Sequence, residues 1–257
     1  MNVKAKKHLG QHFLTDENIA KKIVEGLDFQ PYQYALEVGP GTGVLTKYLL
    51  EKPTETYVAE IDTESIEYLK LHYQKLENKH FTGDFLKINL NDIFSGEVAI
   101  IGNFPYNISS QILFKIIENY QQIPEMVGMF QKEVAERTAA VPRTKDYGIL
   151  SVLVQAYYDV KYLFTVHENV FNPPPKVKSG VIKLTRNRKE GLEGNEILFK
   201  QIVKTGFGQR RKKLSNALKS LDIPEVLKSH AFMDKRAEEL SVEDFINFTQ
   251  EWKAAKN

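Results

Sequence analysis

Glu37-Val38-Gly39-Pro40-Gly41-Thr42-Gly43 follows the apolar run Tyr34-Ala35-Leu36 and precedes a helical stretch over residues 44–50. The order predicted is strand, glycine turn, helix. Glycine has no Cβ, so such a turn can be sharp and can bring backbone close to a ligand. Glu60 lies near the end of the next strand-like run, Tyr57-Val58-Ala59-Glu60-Ile61, 21 residues after Gly39. A carboxylate there can accept from both hydroxyls of a ribose, which suits any adenosine-type cofactor.

The glycine spacing narrows the choice. A dinucleotide fingerprint reads G-x-G-x-x-G, whereas this loop reads G-x-G-x-G with Pro40 inside and Glu37 ahead. That spacing resembles an S-adenosylmethionine loop. Working outward, strands are predicted at residues 80–82, 97–102, 126–130, 160–166 and 177–184. Helices are predicted at 63–73, 109–120, 132–139 and 148–157, the first capped by Asp62 or Thr63. The alternation predicts an α/β fold with a parallel, doubly wound sheet, whose ligands bind at the carboxyl ends of the strands. Residues 187–195 are polar with Gly191 and Gly194 and read as a linker. Beyond them the pattern is helical: Leu214, Ala217, Leu218 and Leu221 form one stripe. Ser241 caps a last helix with Phe245, Phe248 and Trp252 on its inner face. The expected division is a cofactor-binding domain over residues 1–187 and a small all-helical domain over 188–257.

A chain of 257 residues with 42% hydrophobic and 26% charged residues can build an ordinary globular core. The absence of cysteine excludes disulfides, thiolate nucleophiles and cysteine-based zinc sites. No metal site and no membrane segment are expected, and the chain reads as cytoplasmic and monomeric. Net charge is only +2, yet cations cluster. Lys4, Lys6 and Lys7 share residues 1–15 with no acid. Residues 176–189 hold six cations and residues 197–221 hold seven, again with no acid. Such segregation points to surfaces that face a polyanion.

Asn103-Phe104-Pro105-Tyr106 ends the predicted strand at 97–102, at the edge where a reacting atom belongs. The lone pair of adenine N6 is delocalised into the ring, which makes the amine a poor nucleophile. Two neutral acceptors, the Asn103 side-chain oxygen and the Pro105 carbonyl, can take its two N–H groups and aim the nitrogen at a sulfonium methyl. Tyr106 can stack on an extruded base, worth about 1–3 kcal/mol. No general acid or base is needed, since a sulfonium is already a good leaving group. Asp84, after Gly83, can accept from an adenine amino group or merely cap a turn.

Together, Gln11-His12-Phe13-Leu14, residues 37–43, Glu60, Gly83-Asp84, Asn103 to Tyr106, residues 170–177 and Phe207-Gly208-Gln209-Arg210-Arg211-Lys212 resemble the rRNA adenine N6,N6-dimethyltransferase family over nearly the whole chain. The resemblance is strongest to its bacterial small-subunit branch. It implies S-adenosylmethionine as cofactor and two adjacent adenines in the 3′-terminal hairpin of 16S rRNA as substrate, in a small-subunit precursor. It implies a class I methyltransferase sheet. It implies cofactor contacts from His12, Leu14, Gly39, Gly41, Glu60, Asp84 and Asn103, with His12 standing where the family usually has Asn. Phe104 stands where Leu is common, a change that should leave the chemistry alone. Phe171 matches an aromatic that packs the target base opposite Tyr106. Lys4, Lys6, Lys7, Arg210, Arg211 and Lys212 are the expected RNA contacts, through phosphates rather than base edges.

Three other readings remain at this level. One is a resistance-type enzyme acting on 23S rRNA. Another is an NAD-dependent reductase, for which Tyr157 and Lys161 have Tyr-x-x-x-Lys spacing. The third is a non-catalytic RNA-binding assembly factor.

Overall fold

The structure is a computed structural model that describes residues 3–256. Its main sheet has six strands in the order β3-β2-β4-β5-β8-β6. These are β2 (Tyr34–Val38), β3 (Glu55–Ala59), β4 (Val98–Asn103), β5 (Glu125–Gln131), β6 (Tyr158–Val166) and β8 (Ser179–Arg186). A separate two-stranded ribbon joins β1 (Phe13–Leu14) to β7 (Phe171–Asn172), antiparallel.

Strands β3, β2, β4 and β5 run parallel. Their residues are mostly apolar and do not alternate because both faces are covered: in β4, Val98, Ala99, Ile100 and Ile101 are fully buried. Each such Ile stabilises the fold by about 1.5–3 kcal/mol before entropy is counted. The parallel, doubly wound core is as expected, and β8 of the closing pair joins it antiparallel to β5. A single 3₁₀ turn at Glu168–Val170, β7 and a loop separate β6 from β8, with no α-helix between them to carry a parallel crossover.

The helices are α1 (Glu17–Val24), α2 (Thr46–Leu49), α3 (Thr63–His72), α4 (Ser109–Glu118), α5 (Lys132–Ala139), α6 (Ile149–Gln155), α7 (Glu196–Gly208), α8 (Leu214–Ala217) and α9 (Val242–Ala254). Asp62 is the cap of α3, its side chain accepting the Glu64 N–H at 3.3 Å. Ser241 and Asp244 form a reciprocal capping box at α9, and Phe245, Phe248 and Trp252 are buried as their spacing implied. The strand expected at 80–82 is reduced to a single bridge between Phe81 and Val58. His80 explains this: its Nδ1 accepts the Glu77 N–H at 2.9 Å and its Nε2 meets Glu55 at 3.1 Å, which curls residues 78–80 into a 3₁₀ turn.

The chain divides into two compact units. One comprises Met1–Ala135 with Asp159–Arg186, the other Glu136–Tyr158 with Asn187–Asn257. Residues 136–158, which sequence placed before the boundary, therefore join the C-terminal unit. Tyr147 shows why. Its buried hydroxyl donates to the Leu240 carbonyl at 3.0 Å, and its ring lies 5.9 Å from that of Phe207. An amphipathic helix does not state in its own sequence which core its apolar face will enter. No helix among the described residues is long and apolar enough to cross a membrane.

Candidate active site

Chain order reverses between β2 and β4: β3 lies on one side of β2 and β4 on the other. A crevice opens at such a switch point. The glycine loop leaves β2 there and Asn103 ends β4 beside it. The cleft, about 130 Å³ and open to solvent, is lined by Gly39, Gly41, Glu60, Ile61, residues 8–13 and residues 103–108.

Gly41 is required twice over. Its φ is +55°, and a Cβ there would lie 2.7 Å from the Phe13 ring. Glu60 stands just past the end of β3 and is buried. Its Oε1 accepts the Ile61 and Asp62 N–H groups at 2.8 and 2.9 Å, and its Oε2 accepts the Gly41 N–H at 3.2 Å. Burial pushes its pKa up while those three donors oppose the shift. A carboxylate has about four lone-pair sites, so one remains for a hydroxyl. Ile61 is 55% exposed within this cleft. Sequence reading passed over it; the signal was an apolar residue directly after the strand-end acid, where it offers a purine an apolar wall. These residues fit an adenosine-bearing cofactor.

Behind the loop, Glu37 is fully enclosed and accepts from Thr46 Oγ1 at 2.6 Å. Burial pushes its pKa up to about 8, the Thr46 bond pulling down and the Glu60 charge adding to the rise. The folded state therefore holds a proton that the unfolded chain has released between its ordinary value of 4.5 and about 8. Stability should fall as pH rises through that window. Glu37→Gln is expected to flatten this dependence in thermal unfolding between pH 5 and 8.5; an unchanged slope would refute the assignment.

The N-terminal segment is strapped over the cleft. Lys6 pairs with Asp62 and, at 3.2 Å, with Glu64, and Gln11 Nε2 donates to Asp62 at 3.3 Å. Burial raises the Asp62 pKa, but Lys6, Gln11 and Ser65 outweigh it and hold the carboxyl below its usual range. Lys6, expected on RNA, is thus committed to the fold, while Lys4 and Lys7 are exposed. His12 bonds through Nδ1 to the Pro173 carbonyl at 2.8 Å. That carbonyl can only accept, so Nδ1 carries the proton. Leu14 turns its side chain into the core and lines only a smaller cavity beside the glycine loop.

At the Asn103 corner, Nδ2 donates to the His12 carbonyl at 2.8 Å. Since that oxygen cannot donate, the amide orientation is fixed and Oδ1 is left for another donor. The Pro105 carbonyl departs from expectation. It accepts the Ile108 N–H at 3.2 Å and the Ser109 hydroxyl at 3.4 Å, so the turn that follows occupies it. The neighbouring Phe104 carbonyl accepts no hydrogen bond among the described residues. Tyr106 is half-buried; its ring lies 5.5 Å from that of His12, and its hydroxyl is 2.6 Å from Ser179 Oγ. Burial pushes its pKa up, more than the Ser179 bond lowers it, so the phenol stays neutral.

Other expected residues are placed elsewhere. Phe171 is 4% exposed and packs in the core with Leu14, Leu45 and Met129, so in this arrangement it presents no face to a base. Asp84 does not line the cleft. It accepts the Leu86 N–H at 3.0 Å and lies 3.4 Å from Lys87, as a turn residue would. In the C-terminal unit, Arg210 binds Glu238 at 2.6 Å and the Thr144 carbonyl at 3.1 Å, whereas Arg211 and Lys212 are exposed. Tyr157 follows α6 and Lys161 lies in β6, so this pair shares no helical face.

A family model described as ribosomal RNA adenine dimethylase matches residues 2–254. The chain is 59% identical over 253 residues to the ribosomal RNA small subunit methyltransferase A of Flavobacterium johnsoniae, covering 98% of this chain and 97% of that one. It is 57% identical over 249 residues to the protein of the same description from Cytophaga hutchinsonii, covering 96% of each. Its fold superposes on the crystal structure of a dimethyladenosine transferase from Plasmodium falciparum with a TM-score of 0.83, at 26% identity over 95% of this chain and 98% of that chain. With its matched length spanning nearly the whole sequence, the chain belongs to the ribosomal RNA adenine dimethylase family.

Proposed function

We propose that this chain transfers methyl groups from S-adenosylmethionine to the N6 atoms of two adjacent adenines in the 3′-terminal hairpin of 16S rRNA, in a small-subunit precursor. The observation that carries the reading is the Asn103 amide, locked by the His12 carbonyl so that Oδ1 is free at the switch-point cleft. With the Phe104 carbonyl it makes a neutral acceptor pair for the two N–H groups of an adenine amine. Tyr106 supplies the stacking face.

Bound S-adenosylmethionine supplies an electrophilic methyl on a sulfonium. Glu60 would hold its ribose, Ile61 its purine, and the Gly39–Gly41 backbone its remaining length. The acceptor pair draws the amine hydrogens aside and turns the nitrogen lone pair towards the methyl, so most of the acceleration comes from positioning. The N6 lone pair forms the new N–C bond, the S–C bonding pair stays on sulfur, and one N6 proton leaves to water.

Arg211 and Lys212, with Lys4 and Lys7, are the proposed phosphate contacts, and Arg210 steadies the segment through Glu238. The C-terminal unit, residues 187–257 together with 136–158, serves as a helical RNA-binding domain. The enzyme works as a cytoplasmic monomer without a metal. Incubation with S-adenosylmethionine and small subunits lacking the modification should yield two N6,N6-dimethyladenines per 16S rRNA, and none in isolated large subunits. Methylation confined to large subunits would overturn the substrate, and absence of transfer to either would overturn the activity.

A further inference from the structure

We propose that Ser179 is a positioning residue for the second of the two methylations at each adenine, acting by holding the Tyr106 ring. The inference rests on the reading of Asn103 and Tyr106 given above.

An unmodified adenine amine offers two N–H groups to two acceptors. After one transfer a single N–H remains, and one acceptor faces a methyl instead of a donor. The polar grip on the nitrogen is halved, so the orientation of the base depends more on the aromatic face. In the second transfer the lone pair of monomethylated N6 forms the N–C bond. The S–C pair again stays on sulfur, and the last N6 proton leaves to water.

Tyr106 is placed for this task but weakly braced. It opens a single 3₁₀ turn, Tyr106–Ile108, just after the strand has ended. Its ring meets the His12 ring at 5.5 Å with a 31° tilt. A stacked base needs an open face of the ring, so packing on both faces is not available to fix it. The hydroxyl lies at the far end of the side chain, where one bond restrains both torsions. Ser179 Oγ makes that bond at 2.6 Å. The mount is rigid: Ser179 is fully buried, begins β8 and pairs in register with Gln131 of β5. The adjoining Lys178 carbonyl accepts the Lys132 N–H at 2.9 Å.

The test compares wild type, Ser179→Ala, Tyr106→Phe and the double variant, with mono- and dimethyladenine quantified over time. Loss of one hydrogen bond should slow the second transfer by about three- to tenfold and the first by less than about twofold, so monomethyladenine accumulates. Tyr106→Phe keeps the ring and removes the same bond, so it should give the same product ratio, and the double variant should add nothing. Equal slowing of both transfers, a wild-type product ratio, or additive effects in the double variant would each overturn the proposal. Failure of the underlying reading looks different: Asn103→Ala would then turn over normally, whatever Ser179 does.

Discussion

Asn103→Ala should lower the rate of methyl transfer by at least about a hundredfold, the cost typical of removing one preorganised polar group from a reacting centre. The amide acts at two places. Oδ1 is the free acceptor at the cleft, and Nδ2 ties the corner to the His12 carbonyl at 2.8 Å. Alanine loses both, so the amine of a docked adenine is no longer aimed. RNA affinity should change by less than about threefold, because phosphate contacts elsewhere supply most of it. Single-turnover methylation with saturating enzyme separates the two effects. Asn103→Asp sharpens the test. It keeps an acceptor but loses the donor to His12, and it sets a negative charge against that carbonyl. Turnover in Asn103→Ala within a few-fold of wild type would remove Asn103 from the reaction.

Gly128→Ala should lower both stability and activity although Gly128 does not line the cleft. Its Cβ would fall 2.0 Å from Phe104 Cε2 and 2.7 Å from Cδ2. The ring has nowhere to go. Phe104 is 1% exposed, and the Phe130 ring lies 4.8 Å away, centroid to centroid. Overpacking of this kind costs about 1–3 kcal/mol, which for a chain of this size lowers Tm by several degrees. Activity should fall further than stability, because Phe104 sits between Asn103 and Tyr106 and any shift of its ring moves both. Phe104→Leu in the Gly128→Ala background should recover much of both losses, since the smaller side chain vacates the contested space. If Gly128→Ala unfolds at the wild-type temperature, the ring is not confined as described.

Phe104 also marks where local reading stops. Sequence treats Phe for Leu at this position as conservative. The structure shows that a Phe fits because two glycines on adjacent strands leave room for its ring. Strand β4 was legible from its apolar run and α9 from its cap and stripe. Glu60 was expected to end the second strand; β3 stops at Ala59 and Glu60 follows it directly. Ser179 was missed because nothing in its own neighbourhood distinguishes a buried serine, whereas Ile61 carried only the local signal of an apolar residue after the strand-end acid.

By itself the sequence determined most of the main-sheet strands and longer helices, the glycine loop, the helix caps and the presence of Asn103 at a strand end, since these depend on residues within a few positions of one another. Only the tertiary structure decided which polar groups are free. Lys6 reaches Asp62 across 56 positions, Tyr106 reaches Ser179 across 73, and Asn103 reaches His12 across 91. Partners so distant meet only once the sheet has assembled, and a charge or amide acquires its role from what it meets there.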